Sequence, residues 1–547
     1  MNKFISSYHN TALEQTGQML SELGFSSIDE LIGSVVPSDI KLRYNIELAK
    51  TGLSQHEFET HLRQLASKNT PLRSFIGMGY YQNQGSALLN SLIVNNPLWN
   101  NNIAGLGDMH KQGYLEALHN FQLMVCSMTG MSEAAHVGTD EAFAAIETMK
   151  TMYELRSDDA VYNNHNILFV DQNIFAQTLD LLLTYSEPMG IEIVCDNFDE
   201  FEFSGKEFGA ILQYPGANGR VCDYDDFCAS AHSNSTLVAA AVDLMALAIL
   251  KSPDSWGADI AFGSTQRLGS DLNFAASNAG FIATRKGLEG SLAKFAVHQT
   301  QDGGYKQDIG KVNHTIASPV MAIFAGLYAM LHGASGLYNK AIHAHSHAKA
   351  LGNHLKDLGY TLACTEYFDT IEIEDVDAAR ISSETIKSGI NIYCPDLETV
   401  HITLDELTTL DEINTLAEIL AKLLGAKHRA IKSIDKDVSL LYDLQRTTPF
   451  MHEPIFTSHN SPREIESYIA KLERKGTGHL AGARDLTSLS SNEGCLAAPS
   501  FMPEFKNIHP FAPSEQTKGY TDIIAYLEQA TCSLTALEAC SFQPSLA

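Results

Sequence analysis

The chain has 547 residues, too many for one compact core, and its 44% hydrophobic and 19% charged side chains are those of a globular protein. Its 65 acidic against 37 basic side chains give a net charge of −28, which argues against a nucleic-acid or anionic-membrane partner, because phosphate contacts need clustered Lys and Arg. The nine cysteines are scattered without a CxxC pair or ligand-like histidine spacing, so no zinc site or disulfide framework is indicated and a reduced, cytoplasmic setting is expected.

The amino terminus, Met1-Asn2-Lys3-Phe4-Ile5, lacks the features of a signal peptide. Residues 1–70 read as a helical arm, with start signals at Ser27 before Leu31 and at Ser54 through Glu57 before Phe58. Phe75-Ile76-Gly77-Met78-Gly79-Tyr80-Tyr81 then reads as a Gly-punctuated turn pinned by two tyrosine rings, with a ligand role as the alternative. Helical patterns return over residues 114–129 and 140–153.

From Asn166 the text alternates strands and helices. Ile167 to Val170, Ile191 to Cys195, Ala210 to Leu212 and Leu237 to Val242 are continuous apolar runs, as expected of strands covered on both faces, so residues 71–335 are assigned to a large, doubly wound, mostly parallel α/β domain. The longest apolar segments, residues 237–250 and 320–331, are too short to span a membrane and read as buried elements. Trp256-Gly257-Ala258-Asp259-Ile260-Ala261-Phe262-Gly263-Ser264-Thr265-Gln266-Arg267-Leu268-Gly269 reads as a buried strand leaving into a polar, Gly-flanked turn. Strand ends of this kind are where open α/β sheets place ligands.

A helix over 316–333 leads into another over 336–358, where His343, His345 and His347 at two-residue spacing read as a solvated face rather than a metal site. Residues 336–445 form a small α+β domain, whose Asp405-Glu406 pair reads as turn-forming. Residues 446–547, punctuated by seven prolines up to Pro513, read as an extended connection followed by a helix over 520–534 and the truncated start of a second half.

These words, in this order, resemble the glycine cleavage system P-protein family, also called glycine decarboxylase or glycine dehydrogenase (aminomethyl-transferring). The matching words include Phe75 to Tyr81, Leu115-Glu116-Ala117-Leu118, Thr129-Gly130-Met131, Trp256-Gly257-Ala258-Asp259, Gly263-Ser264-Thr265-Gln266-Arg267, Arg446-Thr447-Thr448-Pro449-Phe450 and Asn507-Ile508-His509-Pro510-Phe511-Ala512-Pro513. The resemblance implies a PLP-dependent transferase-like fold type I and an enzyme that uses pyridoxal phosphate (PLP) to decarboxylate glycine and hands the aminomethyl group to a lipoylated H-protein. It also implies two homologous halves with the cofactor lysine in the second, and the present text resembles the first half and the opening of the second, with Phe542-Gln543-Pro544-Ser545 like the start of a phosphate loop.

A PLP enzyme needs a lysine amine for its Schiff base, and a permanently protonated guanidinium cannot replace it. Arg267 stands where that lysine is expected, and Lys251 and Lys286 lie outside the turn. By the same resemblance Asp243 stands where a carboxylate faces the cofactor's pyridinium nitrogen, with a capping role as the alternative. Pocket words depart further: Gln82-Asn83-Gln84-Gly85, Ile103 to Asp108, Phe175, Ala276-Ser277-Asn278 and Leu486 to Ser491 replace the family's usual text.

The chain is therefore expected to be inactive alone and to bind no cofactor covalently. It is expected to pair with a lysine-bearing half in a homo- or hetero-oligomer, with Tyr80 and Tyr81 approaching that partner's glycine pocket. The alternative is a regulatory pseudoenzyme outside glycine cleavage, whose degenerate cleft of Asp243, Ser264, Thr265, Gln266 and Arg267 holds a small anion.

Overall fold

The computed structural model describes residues 13–40, 53–96, 98–99, 111–272, 278–288, 290–292, 296–307, 319–427, 429–476 and 502–542. The signal-peptide reading of residues 1–5, the altered words at 103–108, 276–277 and 486–491, and the loop-like text at 543–545 lie outside them. The described residues fall into two compact units, one drawn from residues 1–68 and 518–544 and the other from residues 69–517.

The smaller unit contains the helices Leu13–Glu22, Ile28–Val35, Gln55–Ala66 and Lys518–Thr535. Their starts follow the expected capping chemistry: Ser27 Oγ accepts the Glu30 N–H, and Ser54 and Glu57 form a reciprocal capping box.

The larger unit is built on a seven-stranded sheet. Its strands are β2 (Glu133–His136), β3 (Ile167–Asp171), β4 (Glu192–Asp196), β5 (Glu207–Tyr214), β6 (Leu237–Val242), β7 (Ile260–Ser264) and β8 (Gly280–Thr284), following β1 (Arg73–Phe75) outside this sheet. The spatial order is β2-β8-β7-β6-β5-β3-β4, parallel throughout except that β8 runs antiparallel to both neighbours. Phe121, Phe169, Phe281 and Phe324 fill one face and Met149, Leu182, Phe262 and Ile282 the other, so β6 is apolar along its length, and β5 and β7 are apolar except at Glu207, Gln213 and Ser264, because little water reaches either side. Strand β4 departs from the expectation of burial on both faces: as the sheet edge it has one neighbour, and most of its residues reach solvent.

Beyond the short hairpin β9 (Val297–Gln299) and β10 (Tyr305–Gln307), the long helix Pro319–Leu358 crosses the core. It breaks at Gly333, where a Cβ would lie 2.4 Å from Asn460, and this break separates the two helices read from sequence. The helix is long and apolar enough to cross a membrane by composition, but 67% of its most apolar window is buried, so it is a core helix.

The histidines on it correct the solvated-face reading. His345 and His347 are buried, and His343 stacks on His347 at 3.8 Å. His345 Nδ1 lies 2.7 Å from the Phe368 carbonyl, while its Nε2 accepts the Ser439 N–H. The helix packs against the helices Gln112–Thr129, Leu410–Leu423 and Pro454–Thr457 and against β11 and β12 of the small sheet, so no broad face is left to water.

The small sheet contains β11 (Thr361–Leu362), β12 (Thr370–Glu374) and β14 (Val400–Thr403) in antiparallel order, while β13 (Ile390–Ile392) pairs in parallel with β1. The entry to the Gly-punctuated turn is thus a strand. Asp405 accepts the Leu407 N–H and receives two 2.8 Å bonds from Arg73, and Glu406 pairs with Lys340 at 2.8 Å, so the acidic pair both shapes its turn and ties it down.

The extended reading after Gly425 is corrected by the fourteen-residue helix Pro462–Lys475. Ser461 caps it, Pro462 occupies its first turn where no N–H is needed, and Ile465, Tyr468, Ile469 and Leu472 form its buried face. It lies so close to the helix Gln112–Thr129 that a Cβ on Gly113 would overlap the Leu472 carbonyl.

Candidate functional site: a strand-end cleft closed by a guanidinium

Strand β7 delivers Ser264 to the sheet's carboxyl edge, and the following turn is held by its own polar groups. Ser264 Oγ accepts the Gln266 N–H, Thr265 Oγ1 accepts the Ala279 N–H, and the Leu268 N–H donates to the Thr265 carbonyl. Gly269 has φ +83°, and a Cβ there would lie 2.5 Å from the Tyr328 ring. Both hydroxyl oxygens therefore serve the turn.

Gln266 and Arg267 point toward the turn that follows β1. Gln266 Oε1 accepts the Tyr81 N–H at 3.0 Å while its Nε2 donates to the Tyr81 carbonyl at 2.7 Å, so one side chain reads the Tyr81 backbone as a neighbouring strand would. The Arg267 guanidinium is 6% exposed and lies 3.4 Å from the centroid of the Tyr81 ring. Its Nε is 2.8 Å from Asp243 Oδ2 and its Nη2 contacts Asp369 Oδ2. Asp243 also accepts the Met245 N–H at 2.8 Å in the turn that follows β6.

These contacts fix the charges. Burial alone would lower the Arg267 pKa, but attraction from Asp243 and Asp369 outweighs it and holds the guanidinium above its ordinary range. Burial pushes Asp369 up to about 6, which still leaves it ionised at neutral pH. Glu141, the first residue of the helix Glu141–Glu154, is pushed up to about 8 by burial against its bonds from Gln213 and Thr178, and is mainly protonated at neutral pH.

The cleft is lined by Tyr81, Asp243, Ser264, Gln266 and Arg267 from the expected set, together with Glu141, Phe175, Gln213, Asp369 and Thr370. Thr265 is buried behind it. Tyr80 faces away, packed edge-on against His509 and Phe511 at centroid distances of 6.1 and 6.0 Å. The sequence reading missed Asp369, which lies 102 residues from Arg267 and offers no local motif. It also missed His509, whose Nε2 lies 3.2 and 3.1 Å from the Gly77 and Tyr80 carbonyls and whose Nδ1 accepts the Phe511 N–H. Its only signal was its place within the word Asn507 to Pro513.

The residues present do not fit PLP. The free space in the cleft is about 30 Å³, whereas organic ligands occupy pockets of roughly 300 Å³ or more. Among the described residues no lysine lines it, and the adjacent helix start carries Asp140 as cap and Glu141 as first residue, a poor match for a phosphate dianion.

Comparison with known proteins agrees with the architecture. Residues 6–420 match the family model described as glycine cleavage system P-protein. The chain is 35% identical over 555 residues to the glycine dehydrogenase (decarboxylating) of Bacteroides thetaiotaomicron, covering 97% of this chain and 58% of that protein. It is 33% identical over 569 residues to that of Nostoc sp., covering 100% and 57%. The chain thus spans little more than half the length of these relatives.

A crystal structure of glycine decarboxylase (P-protein) of the glycine cleavage system, in inhibitor-bound form, superposes with a TM-score of 0.68 at 21% identity, covering 76% of this chain and 99% of that one. The fold is the PLP-dependent transferase-like fold type I, a large mostly parallel sheet with a smaller α+β lobe. On the match over residues 6–420 and the identity carried through nearly its whole length, this chain belongs to the glycine cleavage system P-protein family.

Proposed function

We propose that this chain is a non-catalytic, P-protein-like half that supports glycine decarboxylation by pairing with a lysine-bearing half. The observation that carries the reading is Arg267: the residue at the strand-end turn where the family resemblance expects a Schiff-base lysine is a buried guanidinium tied to two carboxylates. It has no lone pair to offer an aldehyde and no route to deprotonation. PLP, when bound by the partner, supplies the electron sink for decarboxylation.

In this reading the chain's own contribution is positional. Gln266 and His509 hold the Tyr80-Tyr81 turn from opposite sides, fixing its backbone at Tyr81 and Tyr80 respectively. A rigid turn of two aromatic residues suits a subunit that shapes a neighbour's small-substrate pocket and excludes water from it. The lipoylated H-protein is the proposed acceptor of the aminomethyl group, and a cytoplasmic hetero-oligomer the proposed setting.

The small-anion reading loses support at the same residue, because Asp243 and Asp369 already neutralise Arg267. Mixing the chain with a lysine-bearing half and PLP, then measuring glycine-dependent carbon dioxide release, tests the proposal. Release that needs both chains supports it; no complex and no release overturn it.

A further inference from the structure

We propose that the strand-end cleft is a binding site for a planar guanidinium-type cation, with the Arg267 side chain as its resident ligand. The inference rests on the reading that this turn is not a Schiff-base site, and adds what the cleft is built to hold.

The surroundings of Arg267 have the parts of a cation receptor. The guanidinium carbon lies 3.4 Å from the centroid of the Tyr81 ring, an Asp243 carboxylate oxygen sits 2.8 Å from Nε as an ion pair, and Asp369 accepts from Nη2. These groups come from three places in the chain: the end of β6 in the large sheet, the residue before β12 in the small sheet, and the turn after β1. Gln213 adds an independent sign of a polar site. Its side chain is 2% exposed and lines the cleft, its Nε2 points to Glu141 and Ala241, and its Oε1 has no hydrogen-bond partner. A buried acceptor of this kind at the wall of a cavity of about 30 Å³ extends the acceptor set beyond the two carboxylates.

The occupant must be a cation, because an anion would face the largely buried carboxylates of Asp243 and Asp369. A guanidinium lies against Tyr81 while two of its nitrogens meet separate carboxylates, Asp243 and Asp369, a spread that a compact ammonium does not reproduce. By filling the cleft from within, Arg267 joins the two lobes at the place where an external ligand would otherwise join them.

Thermal unfolding of the full chain with Arg267→Ala tests this. The variant is expected to melt several degrees below the parent and to regain much of the loss in millimolar guanidinium or methylguanidinium chloride, saturably and far below denaturing concentrations. The parent, its site already filled, gains nothing. Sodium chloride at equal ionic strength, inorganic phosphate and PLP give no recovery. An unaltered melting temperature in the variant, no saturable recovery, or equal recovery with sodium chloride would each overturn the proposal.

Should Arg267→Ala not fold, Arg267→Lys keeps the question open to refutation, since it retains charge and loses the planar fork. It is expected to melt below the parent, and a melting temperature equal to the parent's would remove the case for a planar cation. Carbon dioxide release on mixing with a lysine-bearing half is read separately, so loss of the paired function leaves the melting result standing, and the converse also holds.

Discussion

The strand-end turn and the helical unit handle their side chains in opposite ways. Thr265, Gln266, Arg267 and Leu268 are buried, with the polar groups among them committed to partners within the fold. The helix Ile28–Val35 buries nothing: Ile28, Ile32 and Val35, spaced to share one face, are 51%, 40% and 68% exposed. In Lys518–Thr535 the apolar residues Ile524, Leu527 and Leu534 are likewise exposed. A small-molecule enzyme usually presents polar groups in an open cleft, whereas here the cleft is narrow and filled by Arg267, and apolar side chains of the helical unit face outward. The contrast suits a subunit whose proposed work is contact with another protein.

Breaking the buried side should have the largest effect. Asp369→Ala leaves the buried guanidinium with one carboxylate and is expected to cost about 3–5 kcal/mol in denaturant unfolding. A loss below about 1 kcal/mol would mean that the cleft tolerates open charge. Gly269→Ala adds a methyl against Tyr328 at a positive φ, and a cost of about 1–3 kcal/mol is expected in the same assay.

How far the contrast was legible in the sequence depended on the range of the interactions. Arg267 and the strand leading to it could be read directly, since an apolar run ending in a polar turn is a local pattern. Asp369 could not, because its place beside Arg267 is set by the docking of two lobes. The helix Pro462–Lys475 was hidden by counting Pro462 as a breaker when it is a start, although its Ile465, Tyr468, Ile469 and Leu472 spacing was present. The three histidines were misjudged because alternate spacing on a helix implies exposure only when one face is free.

A smaller effect is expected at His509, the far support of the Tyr80-Tyr81 turn. His509→Ala removes a ring nitrogen within reach of two carbonyls, at an expected cost of about 1–3 kcal/mol. In the mixed assay it should lower carbon dioxide release more than an equally destabilising core change such as Ile282→Val. Equal losses would reduce His509 to a packing residue.

Acid titration sharpens the contrast through other buried groups. Burial lowers His136, His345, His347 and His509 from 6.5 to about 4, so each is neutral when folded and takes up a proton on unfolding in that window. Their stabilising contribution is complete above pH 6.5 and is lost as pH falls toward 4, by at most about 1.4 kcal/mol per group per pH unit. His332 and His119, also lowered by burial, act in the same direction, while Glu141, Asp171 and Asp369, raised by burial, oppose it below about pH 8, 6 and 6, and Asp140 and Asp254 are raised as well. A histidine among these that titrates near 6.5 in the folded chain, read by NMR, would contradict its burial.

The least stability change is expected on the exposed side. Ile32→Asp should alter unfolding by no more than about 0.5 kcal/mol, as surface substitutions do, while weakening association in sedimentation if that face meets the partner. Unaltered association would move the interface elsewhere.

The most direct measurement is glycine-dependent carbon dioxide release with PLP present, from the chain alone and from the chain mixed with a lysine-bearing half. No release from the chain alone and release on mixing are the predicted results. Turnover by the chain alone would contradict the central claim that Arg267 closes this site to Schiff-base chemistry.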